Sequence, residues 1–156
     1  MNFVNESTIE NVITQLEDEK YFMEQLSFLD KNHPILLSFI GNDRLELLTD
    51  EEIYFLEFMT LVIYLSCKEE LKKDIRIDGK TLEKNEENNW ELWNENIKKS
   101  VKNAFDIYFQ NYPQEDLLAF VEDVLQNDED QNITSVGMEI IAVTSKSIID
   151  TLHELN

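Results

Sequence analysis

Between Ile53 and Cys67 the chain is apolar almost all the way round a helix, interrupted only by Glu57, Thr60 and Ser66. A helix that is apolar on every side must be buried on every side. The stretch is shorter than the ~18–20 apolar residues of a membrane span, and no other segment reaches that length. It predicts the central helix of a bundle, at about residues 50–67. Its start is written in Thr49-Asp50-Glu51-Glu52: Thr49 caps, Glu52 closes a capping box, and three acids sit at the positive end of the helix dipole. Lys68, Lys72 and Lys73 suit the opposite end.

The rest of the chain has to pack around that helix. Three glycines and two prolines in 156 residues leave few turn signals and favour long helices over many short strands. The spacing predicts an all-α, single-domain bundle of about six helices spanning 1–156. Ser7-Thr8-Ile9-Glu10 has the form of a capping box with Ser7 as the cap. The helical apolar pattern that follows, from Ile9 to Leu29, is broken at Glu17-Asp18-Glu19-Lys20, so it is one helix or two pieces meeting there. Pro34 opens a short helix that Gly41 closes. Asp78-Gly79-Lys80 reads as a turn. A long helix is expected from about Thr81 to Asn111, with Trp90, Trp93, Ile97, Val101, Ala104, Phe105 and Tyr108 on one stripe. Further helices are expected after Pro113 and from about Thr134 to Glu154, with a polar acidic loop at Asn127–Asn132 between them.

Charge restricts the partners. The chain carries 33 acids and 13 bases, a formal net charge of −20. Residues 68–102 are balanced, so the excess lies in the flanks, and from Asn103 to Ser145 there is no Lys or Arg. A globular chain of this mass exposes roughly 8,000 Å², about one net charge per 400 Å². Such a field repels nucleic-acid phosphates and raises encounter rates with basic proteins in a salt-dependent way. Direct nucleic-acid binding and membrane insertion are therefore not expected. The single Cys67 forms no internal disulfide and, with no secretory-type leader at Met1–Glu6, suits a cytoplasmic, reducing compartment.

Motifs for chemistry are sparse. Asp128, Asp130 and Asn132, followed by Glu139 at the twelfth position, resemble an EF-hand loop, which implies a Ca²⁺ site on those four residues. The pattern departs from that family at its sixth and eighth positions, where Ile133 and Ser135 stand in place of glycine and a bulky apolar residue. Glu83, Glu87, Glu91 and Glu95 recur every four residues on one helix face. Glu83-Lys-Asn-Glu86 resembles half of the acidic motif of helical Mg²⁺-dependent pyrophosphohydrolases, but no Glu-x-x-Asp answers it. The ladder is expected to be a solvated face, with Glu95 paired to Lys99. Cys67 is expected to be a buried, inert thiol. A di-iron bundle needs two Glu-x-x-His pairs on separate helices, and the chain offers only Asp150-Thr-Leu-His153. Two histidines on distant segments give little support to a triad, so His33 and His153 are assigned structural roles, His153 near a helix C-terminus that favours a cation. Trp93 and Trp90 are expected in the core, with Trp90 nearer an edge.

These observations favour a non-catalytic, cofactor-free interaction domain, of inhibitor, immunity or adaptor type, that meets a basic protein partner. In charge and size it is broadly similar to small acidic helical proteins that neutralise basic nucleases. The alternative is a helical carboxylate–metal protein or hydrolase using Mg²⁺ or Ca²⁺. The candidate surface is Glu115, Asp116, Glu122 and Asp123, continued by Asp128, Glu129 and Asp130.

Overall fold

The computed structural model of the chain describes residues 1–41, 43–126 and 132–156, with residues 43 and 44 in backbone only. Among these residues there are eight α-helices and no strand: α1 (Glu6–Leu16), α2 (Glu19–Asn32), α3 (Pro34–Ile40), α4 (Asp50–Leu71), α5 (Gly79–Asn96), α6 (Val101–Phe109), α7 (Glu115–Gln126) and α8 (Ser135–Leu155), with a 3-10 turn at Asp43–Leu47. No helix is long and apolar enough to cross a membrane among the described residues.

Two helices form the centre. In α4 every residue from Met59 to Cys67 is buried, and α8 is buried without interruption from Ile140 to Ile149. They pack on each other; α1 and α2 cover α4, while α5 and α7 cover α8. The apolar run at 53–67 announces α4. The burial of α8 is less legible, because Thr144, Ser145, Lys146 and Ser147 lie in the middle of the buried stretch.

The helix count exceeds the expected six because side-chain caps at Asp18 and Ser100, where there is neither glycine nor proline, restart the helix. Asn5, Asp18, Thr49, Asp78, Ser100 and Thr134 each accept a hydrogen bond from the backbone N–H three residues on. Each satisfies one of the orphan donors of a helix start. The first helix is thus capped by Asn5 and not by Ser7, and Asp18 divides the Ile9–Leu29 pattern into two helices. Asp78-Gly79-Lys80 is a helix start rather than a free turn. Ser100 splits the expected Thr81–Asn111 helix into α5 and α6. On a continuous helix Trp93 and Phe105 would stand about 18 Å apart at 1.5 Å per residue. Instead the chain folds back and their rings meet edge to face at 5.4 Å. With α5 ending at Asn96, helical geometry does not carry Glu95 to Lys99, so the expected i,i+4 pairing loses its basis.

One carboxylate joins the central helices. Glu52, wholly buried, accepts the Thr49 N–H at 3.0 Å and completes the capping box of α4. Its second oxygen accepts the Thr134 N–H at 2.8 Å and the Thr134 hydroxyl at 2.9 Å, at the cap of α8. Gly137 makes room for it: a Cβ there would overlap the Glu52 carboxylate. Burial pushes Glu52 upward, but the Thr49 and Thr134 hydrogen bonds outweigh it and hold the group below its ordinary value. A depressed carboxylate contributes stability above its unfolded value of ~4.3, lost as pH falls through the folded value.

Gly→Ala in an exposed helix usually stabilises by up to ~1 kcal/mol. Here Gly137→Ala is expected to destabilise by about 2 kcal/mol or more, since it displaces charge-assisted bonds. Urea unfolding at pH 7 measures the sign. The deficit relative to wild type should shrink as pH falls below about 4.

Candidate protein-interaction surface

Asp116 and Asp123, seven residues apart, line a hollow between α7 and α1, opposite Glu6 and Glu10. Glu122 does not line that hollow; burial, then the charges of Asp123 and of Asp106 on α6, push its carboxyl up. Glu115 is exposed in the first turn. Asp116 also has a structural part: its Oδ2 accepts the Glu6 N–H at 2.8 Å, across 110 residues of sequence. Gln114 completes this latch, accepting the Val4 N–H at 3.0 Å and donating to the Asn2 carbonyl at 2.9 Å. Asp128, Glu129 and Asp130 lie outside the described residues. Glu6 and Glu10 were not among the expected site residues, and no local signal marks them, because only the tertiary fold brings α1 against α7.

The α1–α7 hollow, of about 260 Å³, has Ile9, Ile13, Ala119 and Phe120 between its acids. It is the first of three adjoining hollows. Ile13 is shared with a second, of about 600 Å³, walled by Phe22, Met23, Tyr54 and Phe58 and edged by Glu17, Glu19 and Glu57. Leu26 and Glu57 are shared with a third, of about 160 Å³, where Leu37, Ile40 and Ile53 meet. Phe58 and Phe120 link the first two through a ring contact at 6.3 Å. Met23 and Tyr54 are about half exposed, at 54% and 51%. None of the described residues lining the three hollows is Lys or Arg. Burial in this apolar setting pushes the Glu57 carboxyl upward.

Behind this face, the polar residues of α8 are committed to packing. Lys146, only 6% exposed, lies 2.9 Å from Asp150 Oδ2 and 3.1 Å from Asn89 Oδ1, with its ammonium over the rings of Tyr108 and Tyr112. Asn89 donates to Ser147 at 3.0 Å and to Asp150 at 2.9 Å. Tyr112 donates to the other oxygen of Asp150, and Asn85 donates to Thr151 at 3.0 Å. Burial and then the Asp150 charge push both Tyr108 and Tyr112 well up, keeping their hydroxyls protonated as donors. The sequence does hold the signal for this seam. Asn85, Asn89 and Trp93 recur every four residues on α5, opposite the i,i+4 steps Ser147–Thr151 and Lys146–Asp150 on α8.

The other candidates are also placed. Cys67 is fully buried and burial pushes its thiol up to about 12, far from a reactive thiolate. His33 lies between α2 and α3 with its ring 5.2 Å from Tyr64; burial and then Lys68 lower its value against a smaller opposing effect of Asp74. His153 Nδ1 is 3.1 Å from Gln114 Nε2. Burial and then the amino-terminal charge lower it against a smaller opposing effect of Asp150. Trp93 is buried with its indole N–H 3.3 Å from Glu139, while Trp90 is partly buried against the core.

Of the EF-hand-like residues, Asp128 and Asp130 lie outside the described residues, Asn132 is exposed, and Glu139 sits on α8 receiving the Trp93 bond. Thr134 to Glu139 are the cap and first turns of α8. Among the described residues no group of three or more His, Cys, Asp or Glu side chains is set to hold a metal ion. Glu87, Glu91 and Glu95 are exposed on α5. Compared with protein-family models, curated proteins and solved structures, the chain finds no match.

The buried Lys146–Asp150 pair yields a double-mutant test. Lys146→Met leaves Asp150 without its cation and should cost about 3 kcal/mol. Lys146→Met with Asp150→Leu removes the unpaired charge but orphans the Tyr112 and Asn89 donors. It should therefore cost less than the sum of the two single substitutions, with a coupling energy of about 1–3 kcal/mol. Chemical denaturation of the four proteins of the cycle measures it.

Proposed function

We propose that the protein is a non-catalytic interaction domain that binds a basic protein partner, as an inhibitor, immunity-type or adaptor protein would, in a reducing cytoplasm. The carrying observation is the α1–α7 hollow, where Glu6 and Glu10 face Asp116 and Asp123 with no base among the lining residues. An open apolar floor between two rows of like charge is unfavourable for the isolated chain and complementary to a cationic surface. Support also comes from the fate of groups with reactive potential. Lys146, Asp150, Tyr112 and His153 are engaged in packing contacts, and the Cys67 thiol is buried.

The binding site in this reading consists of Asp123, Asp116, Glu6 and Glu10, with Glu115 and Glu122 contributing to the long-range field. Asp116 is a poor position for a test, because it also caps α1.

The immobilised 156-residue chain should capture from lysate one basic protein that elutes sharply at moderate salt. With that partner purified, Glu122→Lys/Asp123→Lys should lower the association rate constant at least tenfold at low salt, flatten its salt dependence and leave dissociation nearly unchanged. A smear of basic proteins, or an unchanged association rate, contradicts the reading.

A further inference from the structure

We propose that the partner binds through an amphipathic helix, seating apolar side chains in the three linked hollows while its Lys and Arg residues meet the acidic rim. This inference rests on the reading of the acidic face given above and specifies what fills it.

The hollows are linked in series: Ile13 lines both the first and the second, and Leu26 and Glu57 line both the second and the third. A series of apolar hollows is the counterpart of anchors at i, i+3 or i+4, and i+7 on one face of a helix. The edge of α1 alone is about 16 Å long at 1.5 Å per residue, matching two to three turns of such a helix. The middle hollow is the largest and has aromatic walls: Tyr54 stacks on Phe58 at an interplanar angle of 13° and lies 5.5 Å from Phe22. Half-exposed Met23 supplies an adaptable wall, the kind of side chain that repacks around a bulky apolar anchor.

Charge selects the occupant. Seven carboxylates line the series: Glu6, Glu10, Asp116 and Asp123 in the first hollow, Glu17 and Glu19 in the second, and Glu57 shared by the second and third. A second copy of this chain would set the same carboxylates against themselves, at a net charge of −20 per chain. An anionic lipid surface would be repelled in the same way. A helix with an apolar stripe flanked by Lys or Arg satisfies both the floor and the rim.

The test uses the full chain and two labelled 18-residue peptides, read by fluorescence anisotropy. One is a Leu/Lys helix with Leu at i, i+3, i+4 and i+7; the other keeps every Lys and replaces each Leu with Gln. The Leu/Lys peptide should bind at least tenfold more tightly at physiological salt. Met23→Ser/Tyr54→Ser, which leaves the charge unchanged, should weaken it at least fivefold. Glu87→Lys/Glu91→Lys on α5 should change it less than twofold. Circular dichroism of each variant checks its fold, and if the Ser variant unfolds, the comparison of the two peptides decides. Equal affinity for both peptides, or no loss in a folded Ser variant, overturns the hollows as the seat and leaves the acidic-face reading standing on charge. No binding of either peptide at low salt overturns both. A dimer in sedimentation that the Ser variant abolishes overturns the helical partner in favour of self-association.

Discussion

The two buried helices depend on one carboxylate. Each helix N-terminus carries about half a positive charge and unpaired N–H groups, and α4 and α8 bring two such ends to the same place. Without an anion there, the ends repel and the Thr49 and Thr134 N–H groups lose their acceptor. Glu52 answers both, one oxygen within its own helix and one at the Thr134 cap of the other. Gly137 is the corresponding requirement on α8, because a side chain there would occupy the carboxylate's place. The register of the central pair follows, and with it the faces that α8 offers to α5 and α7.

That register also explains how Lys146 and Ser147 are buried in the middle of α8, beside Thr144 and Ser145, whose buried hydroxyls have no hydrogen-bond partner among the described residues. Lys146 is held by Asp150, Asn89 and the rings of two tyrosines, and Ser147 returns its proton to the Val143 carbonyl. A buried cation is tolerable when paired and hydrogen-bonded, and costly when left alone. The one base between residues 103 and 156 is therefore used inside. It does not screen the acids outside, and the face built by α1, α2, the first half of α4 and α7 keeps its negative field.

Much of the fold is legible in the amino-acid sequence. Ile53–Cys67 marks the buried helix, Thr49 and Glu52 its start, and Pro34 and Gly41 bound a short helix, all as found. The charged run Glu17-Asp18-Glu19-Lys20 marks the division at Asp18, whereas the break made by a lone polar side chain escapes. Ser100 ends a pattern that hydrophobic spacing alone would continue, because capping acts through one hydrogen bond and leaves the period of its neighbours intact. The site is less legible for a different reason. Asp116 and Asp123 are visible on α7, but Glu6, Glu10, Glu17 and Glu57 join them only through contacts between distant segments. Asp116 and Glu139 have structural partners, Glu6 and Trp93, which no local pattern predicts.

The division between a polar interior that holds the fold and an acidic, hollowed face that meets a partner is tested most directly by mapping where a cationic amphipathic peptide touches the whole chain. The measurement is a ¹⁵N chemical-shift titration of the 156-residue chain with the Leu/Lys helix. Perturbations concentrated in α1, α2, the first half of α4 and α7, with Asn89, Lys146 and Asp150 unmoved, are the predicted result. Shifts that follow exposed carboxylates wherever they occur, the Glu87–Glu95 face of α5 included, would contradict it.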